Sequence, residues 1–138
     1  MAALIDTSVF VESERSGYDP ATVMGRLGVA ADEPVALAAI TAAELYRGVE
    51  LGDLAYRTER LRVINDLLAR FAVLPLGVAE ARVFLRINDH LKRIGQSIAA
   101  PDLLIAATAL ARGWSVATHN RRHFDRIPDL VVLGPPAR

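Results

Sequence analysis

Apolar residues along the chain fall into two kinds of segment. Short runs at residues 2–5, 35–40, 72–74, 115–117 and 130–133 are apolar at every or nearly every position, and longer stretches with helical spacing separate them. A strand with one face in water alternates apolar and polar residues, whereas a strand covered on both faces is apolar throughout. The runs therefore predict an α/β domain with a short parallel sheet flanked by helices.

The intervening helices are marked by caps and by period. Asp19 followed by Pro20 reads as a cap with proline in the first turn. Asp53 precedes a second helix, with Leu61, Ile64, Leu68 and Phe71 on one face. Ala81, Phe84, Ile87, Leu91 and Ile94 form a third stripe, which Gly95 ends. These faces are expected to be core. Residues 103–111 are apolar nearly all round, which predicts a central buried helix with Pro101 in its first turn and Gly113 at its end. An acid in the first turn of such a helix, Asp102, calls for an explanation.

Composition narrows the class. The chain has 138 residues, 52% hydrophobic and 23% charged, which fits one globular domain with a core that needs no disulfide or structural metal. We expect that domain over residues 1–134 and a flexible tail at 135–138. Cysteine is absent, which excludes thiol nucleophiles, disulfides and cysteine zinc sites and suits a reducing, cytoplasmic setting. Sixteen basic residues balance sixteen acidic ones, so any polyanionic partner must be met by a local patch. The longest apolar runs, at 35–40 and 103–111, fall well short of the roughly 20 residues of a membrane span. The opening five residues carry no basic flank and run into Asp6, unlike a signal peptide.

In open α/β sheets ligands bind beyond the carboxyl ends of the strands. Asp6 follows the first run directly, in Leu4-Ile5-Asp6-Thr7-Ser8, where Asp6 or Thr7 is also a candidate helix cap. Glu44 lies in Ile40-Thr41-Ala42-Ala43-Glu44-Leu45, which also reads as a Thr-x-x-Glu capping box. Asp102 is placed to favour its helix dipole. Each acid alone has this structural reading. Together, all three stand at helix starts among small or apolar neighbours. Carboxylates grouped at one sheet edge repel one another until protonation or a cation relieves them. Oxygen ligands select hard ions, so Mg²⁺ or Mn²⁺ is the natural counter-charge. From the residues alone the reading reaches a metal-dependent phosphoryl hydrolase or a phosphate-binding module.

Four ordered motifs resemble the PIN-domain ribonucleases, specifically the VapC-type toxins of toxin-antitoxin pairs. They are Leu4-Ile5-Asp6-Thr7-Ser8-Val9, Ile40-Thr41-Ala42-Ala43-Glu44-Leu45, Pro101-Asp102-Leu103-Leu104-Ile105-Ala106-Ala107 and Thr118-His119-Asn120-Arg121-Arg122-His123-Phe124. The resemblance spans residues 2–133 and implies a PIN-like three-layer domain. It assigns Asp6, Glu44 and Asp102 to a divalent ion, Mg²⁺ or Mn²⁺, and to hydrolysis of RNA. It further implies a cognate antitoxin partner and a homodimer, with a heterotetramer or larger assembly when the antitoxin is bound.

The family often has a fourth acid in the last motif, where this chain has Asn120 and His123. Asn120 still offers a neutral oxygen and Thr118 can orient it; Asp125 is a weaker candidate. Thr7 and Ser8 are expected to support the site. Fifteen of the sixteen basic residues are Arg, suited to forked phosphate contacts, and Arg47, Arg121 and Arg122 are placed around the acids. His119 and His123, four apart, have a spacing that zinc sites use on a helix, but no third soft ligand accompanies them. Two other functions compete with the nuclease: a catalytically weak PIN-like RNA-binding or protein-interaction module, and a small phosphatase built on Asp6. The phosphatase fits poorly, because Ser8 stands where such enzymes place a second Asp.

Overall fold

The computed structural model describes residues 1–136. The expected tail at 135–138 therefore lies partly outside the described residues. Five strands, β1 (Ala3–Ile5), β2 (Val35–Ala38), β3 (Ala72–Leu74), β4 (Ser115–Ala117) and β5 (Val132–Leu133), form one sheet in the order β3-β2-β1-β4-β5. Every pairing is parallel.

Helices cover both faces, and the two-residue period of the strands decides what each face packs against. Ala3 and Ile5 of β1, Leu37 of β2 and Ala117 of β4 point into a core completed by α1 (Thr7–Ser16), α2 (Pro20–Arg26), α3 (Ala39–Arg47) and α4 (Leu54–Leu68). Leu4, Ala36, Ala38 and Val116 point the other way, toward α5 (Val78–Arg93), α6 (Ala100–Arg112) and α7 (Arg121–Phe124). The result is the three-layer arrangement expected from the uniformly apolar runs.

Three details depart from the sequence reading. β2 ends at Ala38, so Ile40 belongs to α3, and β5 is confined to Val132–Leu133. The edge strand β3 is not covered on both faces: its Val73 is exposed. The apolar stripes are narrower than their period suggested. On α4 Ile64 is buried but Leu61 is exposed; on α5 Ile87 and Leu91 are buried, while Ala81 and Ile94 are exposed. The buried part of each stripe is thus a narrow line, Ile64 on α4 and Ile87 with Leu91 on α5, rather than the full face.

Caps match the residues that signalled them. Asp19 Oδ1 accepts the Thr22 N–H and Asp53 Oδ1 accepts the Tyr56 N–H, both at 2.8 Å. Gly113 ends α6 at φ 69°, a left-handed conformation that glycine adopts without a Cβ penalty. The expected central helix is α6, with Leu103, Ile105, Ala106, Ala107, Thr108 and Ala109 all buried.

The sheet order reverses beside β1. Chain growth runs from β1 outward to β2 and β3, then returns across to β4 and β5 on the other side. Connections diverge at such a switch point, leaving a crevice at the carboxyl ends of the two central strands. Asp6 follows β1 and Thr118 follows β4, so both stand at the base of that crevice.

Candidate active site

Asp6 occupies the cap position of α1, yet its side chain makes no capping bond. Instead, Oδ2 accepts hydrogen bonds from Ser8 Oγ and from Thr118 Oγ1, each at 2.7 Å. These hydroxyls are themselves fixed: Ser8 Oγ accepts the His119 N–H at 3.0 Å, and Thr118 Oγ1 accepts the Asn120 N–H at 2.9 Å. The network ties the end of β1 to the end of β4 and holds a carboxylate that is only 4% exposed.

Glu44 is not part of a capping box. Because α3 begins at Ala39, Thr41 sits inside the helix and the cap residue is Ala38, which has no polar side chain. The Thr41 hydroxyl is buried without a hydrogen-bond partner among the described residues, and Glu44 Oε1 accepts from Thr7 Oγ1 at 2.8 Å. Asp102, in the first turn of α6, has Oδ2 at 2.9 Å from His123 Nδ1. Each of the three acids thus has one oxygen held by a neighbouring side chain, and the other without a hydrogen bond among the described residues.

All three line one open pocket of about 350 Å³, together with Thr7, Ser8, Val11, Glu12, His119 and Asn120. Burial is the first cause of a raised pKa at both Glu44 and Asp102. The Asp6 charge raises both further, and Asp102 adds to Glu44. The bonds from Thr7 and His123 act in the opposite direction. The pocket therefore holds carboxyl groups whose ionisation is costly unless a positive charge enters. Among the described residues no three His, Asp or Glu side chains are drawn into a tight ligating cluster; the acids face a shared opening rather than one point. Hard oxygen donors, each with an uncommitted atom, around a polar opening fit a divalent ion such as Mg²⁺ or Mn²⁺.

The other expected site residues divide. Thr118 is fully buried behind Asp6. Arg121, Arg122 and His123 line an adjacent pocket that shares His119 and Asn120 with the acidic one. Arg121 is committed to Asp125 at 3.1 Å and also reaches the Gly134 carbonyl. Asp125 is thereby turned to Arg121 and does not line the acidic pocket. Arg47, the last residue of α3, is exposed and lines neither pocket; one helical turn beyond Glu44 carries it past the opening. His119 and His123 do not share a helix face, because α7 starts only at Arg121. His119 Nε2 is buried without a partner, whereas His123 bonds Asp102. Sequence reasoning missed Glu12 as a lining residue; its position four residues after Ser8 on α1, hence on the same face, was the available signal.

Residues 3–130 match the PIN domain family model. The chain belongs to the PIN-domain family, in its VapC branch. It is 33% identical over 147 residues to Ribonuclease VapC of Rickettsia bellii, an alignment covering all of this chain and 99% of that protein. Among solved structures, FitAcB from Neisseria gonorrhoeae superposes with a TM-score of 0.81 at 31% identity, covering 96% of this chain and 97% of that one. VapBC-1 from nontypeable Haemophilus influenzae superposes at 0.84 with 25% identity, covering 97% and 98%. For this PIN domain both superpositions cover nearly the whole of each chain, so the fold is shared.

Proposed function

We propose that this PIN domain is the toxin of a toxin-antitoxin pair and acts as a Mg²⁺- or Mn²⁺-dependent endoribonuclease. The observation that carries the reading is the convergence of Asp6, Glu44 and Asp102 on one polar opening at the switch point of the sheet. The ribonuclease name of the full-length Rickettsia bellii relative supports the RNA substrate. Asp6 and Asp102, with Glu44 across the opening, would hold the ion through Oδ1, Oδ1 and Oε2. When bound, a divalent ion supplies a polarised phosphodiester oxygen and a water of lowered pKa. The protein fixes Asp6 through Ser8 and Thr118 and Glu44 through Thr7, so little reorganisation is needed when charge develops. Asn120 supplies a neutral amide at the rim. Arg122 and the neighbouring pocket offer a cationic path for flanking phosphates.

The antitoxin reading is supported by a solved relative described as a member of the VapBC family of toxin-antitoxin systems, VapBC-5 from Mycobacterium tuberculosis. On this chain an apolar groove of about 320 Å³ runs between α1 and α4, lined by Phe10, Val11, Leu45, Val63, Ile64 and Leu67 among others. Val11 also lines the acidic pocket. A partner segment laid in the groove with apolar side chains would therefore continue directly over the acids, where a basic side chain finds its complement. Contacts made by helices rather than by sheet edges follow from this placement, and a homodimer is expected through other exposed apolar faces.

The test is cleavage. Purified, metal-stripped protein should cut structured RNA only after Mg²⁺ or Mn²⁺ is restored, and Asp6→Asn should abolish the cut while leaving the fold intact. Equal cleavage by Asp6→Asn, or none by the wild-type chain across a panel of RNAs, would favour the catalytically weak binding module instead.

A further inference from the structure

His123 stands outside the acidic pocket yet contacts one of its acids. The next residue, Phe124, is fully buried in the core and anchors the short α7 that carries His123. From that position Nδ1 reaches Asp102 Oδ2 at 2.9 Å.

We propose that His123 is a positioning residue for the acidic centre, donating its Nδ1–H to Asp102 Oδ2 and so leaving Oδ1 turned to the opening. A carboxylate rotates about its last bond between nearly equivalent orientations, and holding one oxygen selects among them. The same device recurs at the other two acids, where Thr7 holds Glu44 and where Ser8 and Thr118 hold Asp6. In all three a hydrogen-bond donor engages one oxygen and leaves the second for a ligand. An arginine in place of His123 would cancel the charge an ion needs, whereas an imidazole N–H orients the carboxylate without a permanent counter-charge. The geometry also argues against His123 as a ligand in its own right. Nδ1 is committed to Asp102, and His123 lines the adjacent pocket rather than the acidic one.

The inference rests on the metal-dependent reading, so its test includes a measurement that needs no metal. In metal-free, ¹⁵N-histidine-labelled protein in mildly alkaline solution, NMR should show His123 as the Nδ1–H tautomer. Asp102→Ala should shift it toward Nε2–H, since the hydrogen bond at one nitrogen sets where the proton sits. Calorimetric titration with Mn²⁺ then compares three variants of His123. Phe and Ala, which lack the donor, should weaken binding by roughly 10–100-fold. Asn, whose side-chain N–H lies close to the position of Nδ1, should restore most of the affinity.

An Nε2–H tautomer in the wild-type chain would overturn the proposal, as would Asn binding no better than Phe. Thermal melts identify any variant that fails to fold, and Asn against Phe remains decisive if Ala does. Absence of Mn²⁺ binding by the wild-type chain would overturn the metal reading, while the tautomer still decides whether His123 donates to Asp102.

Discussion

At Glu44 two roles that look alike in sequence separate by one hydrogen bond. A capping acid bonds the backbone N–H of its cap residue, whereas Glu44 bonds the Thr7 hydroxyl on a different helix. Glu44→Gln keeps an acceptor for Thr7 and removes the charge. We therefore expect metal-dependent cleavage to fall by at least about 100-fold, a loss of ~3 kcal/mol of transition-state stabilisation, with an equal or higher melting temperature of the metal-free protein; near-normal cleavage would remove Glu44 from the site. Thr41 gives the converse case. Its hydroxyl is fully buried without a partner, and an unsatisfied buried hydroxyl costs ~1–3 kcal/mol. Thr41→Val should leave stability equal or higher in thermal melts; a clear loss would mean that the hydroxyl has a partner after all.

At the scale of elements, a cap position and a capping side chain are different things. Asp53 caps α4 through the Tyr56 N–H, so Asp53→Ala should cost ~1 kcal/mol of stability and leave cleavage untouched. Asp6 holds the equivalent position on α1 without capping it, and its replacement by Asn should do the reverse. Further along, Gly134 follows β5 so closely that a methyl group there would overlap the Thr118 carbonyl oxygen. Gly134→Ala must displace the segment that positions Asp6, and we expect both a lower melting temperature and weaker cleavage. Unchanged values for both would show that the β4–β5 edge yields easily.

These contrasts explain what was legible in the sequence. The approximate strand positions, the parallel sheet and the buried α6 followed from apolar runs, because burial on two faces disfavours polar positions; β3, apolar but exposed at Val73, is the exception. Asp6 and Asp102 were legible as helix-start residues, whereas Glu44, expected at a helix start, lies in the second turn of α3. What each side chain bonds was not, since Thr7–Glu44 and Thr118–Asp6 join residues far apart in the chain. The capping box read at Thr41 and the shared face read for His119 and His123 failed for one reason: α3 starts earlier and α7 later than spacing suggested.

For the whole molecule, the acidic pocket is a local instability that ligand binding relieves. Glu44 and Asp102 have raised pKa values in the folded chain, first through burial. The metal-free folded state therefore holds their protons more tightly than the unfolded chain does, so stability is lost as pH rises from the ordinary carboxyl range through the raised values. Melting temperatures of the metal-free protein should fall across that window, less so in Asp102→Asn. Saturating Mg²⁺ should offset the fall by binding the ionised folded state. A metal-free protein that gains stability from this pair over the same window would contradict the assignment. Light scattering at micromolar concentration addresses the assembly: a dimer is expected, and only monomer would refute it.

The central claim, that Asp6, Glu44 and Asp102 form one divalent-ion centre, is tested most directly by anomalous diffraction from a crystal soaked in Mn²⁺. We predict an anomalous peak in the opening, within coordination distance of Asp6 and Asp102 and reached by Glu44 directly or through a bound water, that disappears in Asp6→Asn. A Mn²⁺ peak elsewhere with this opening empty at saturating ion, or a peak that persists unchanged in Asp6→Asn, would contradict it.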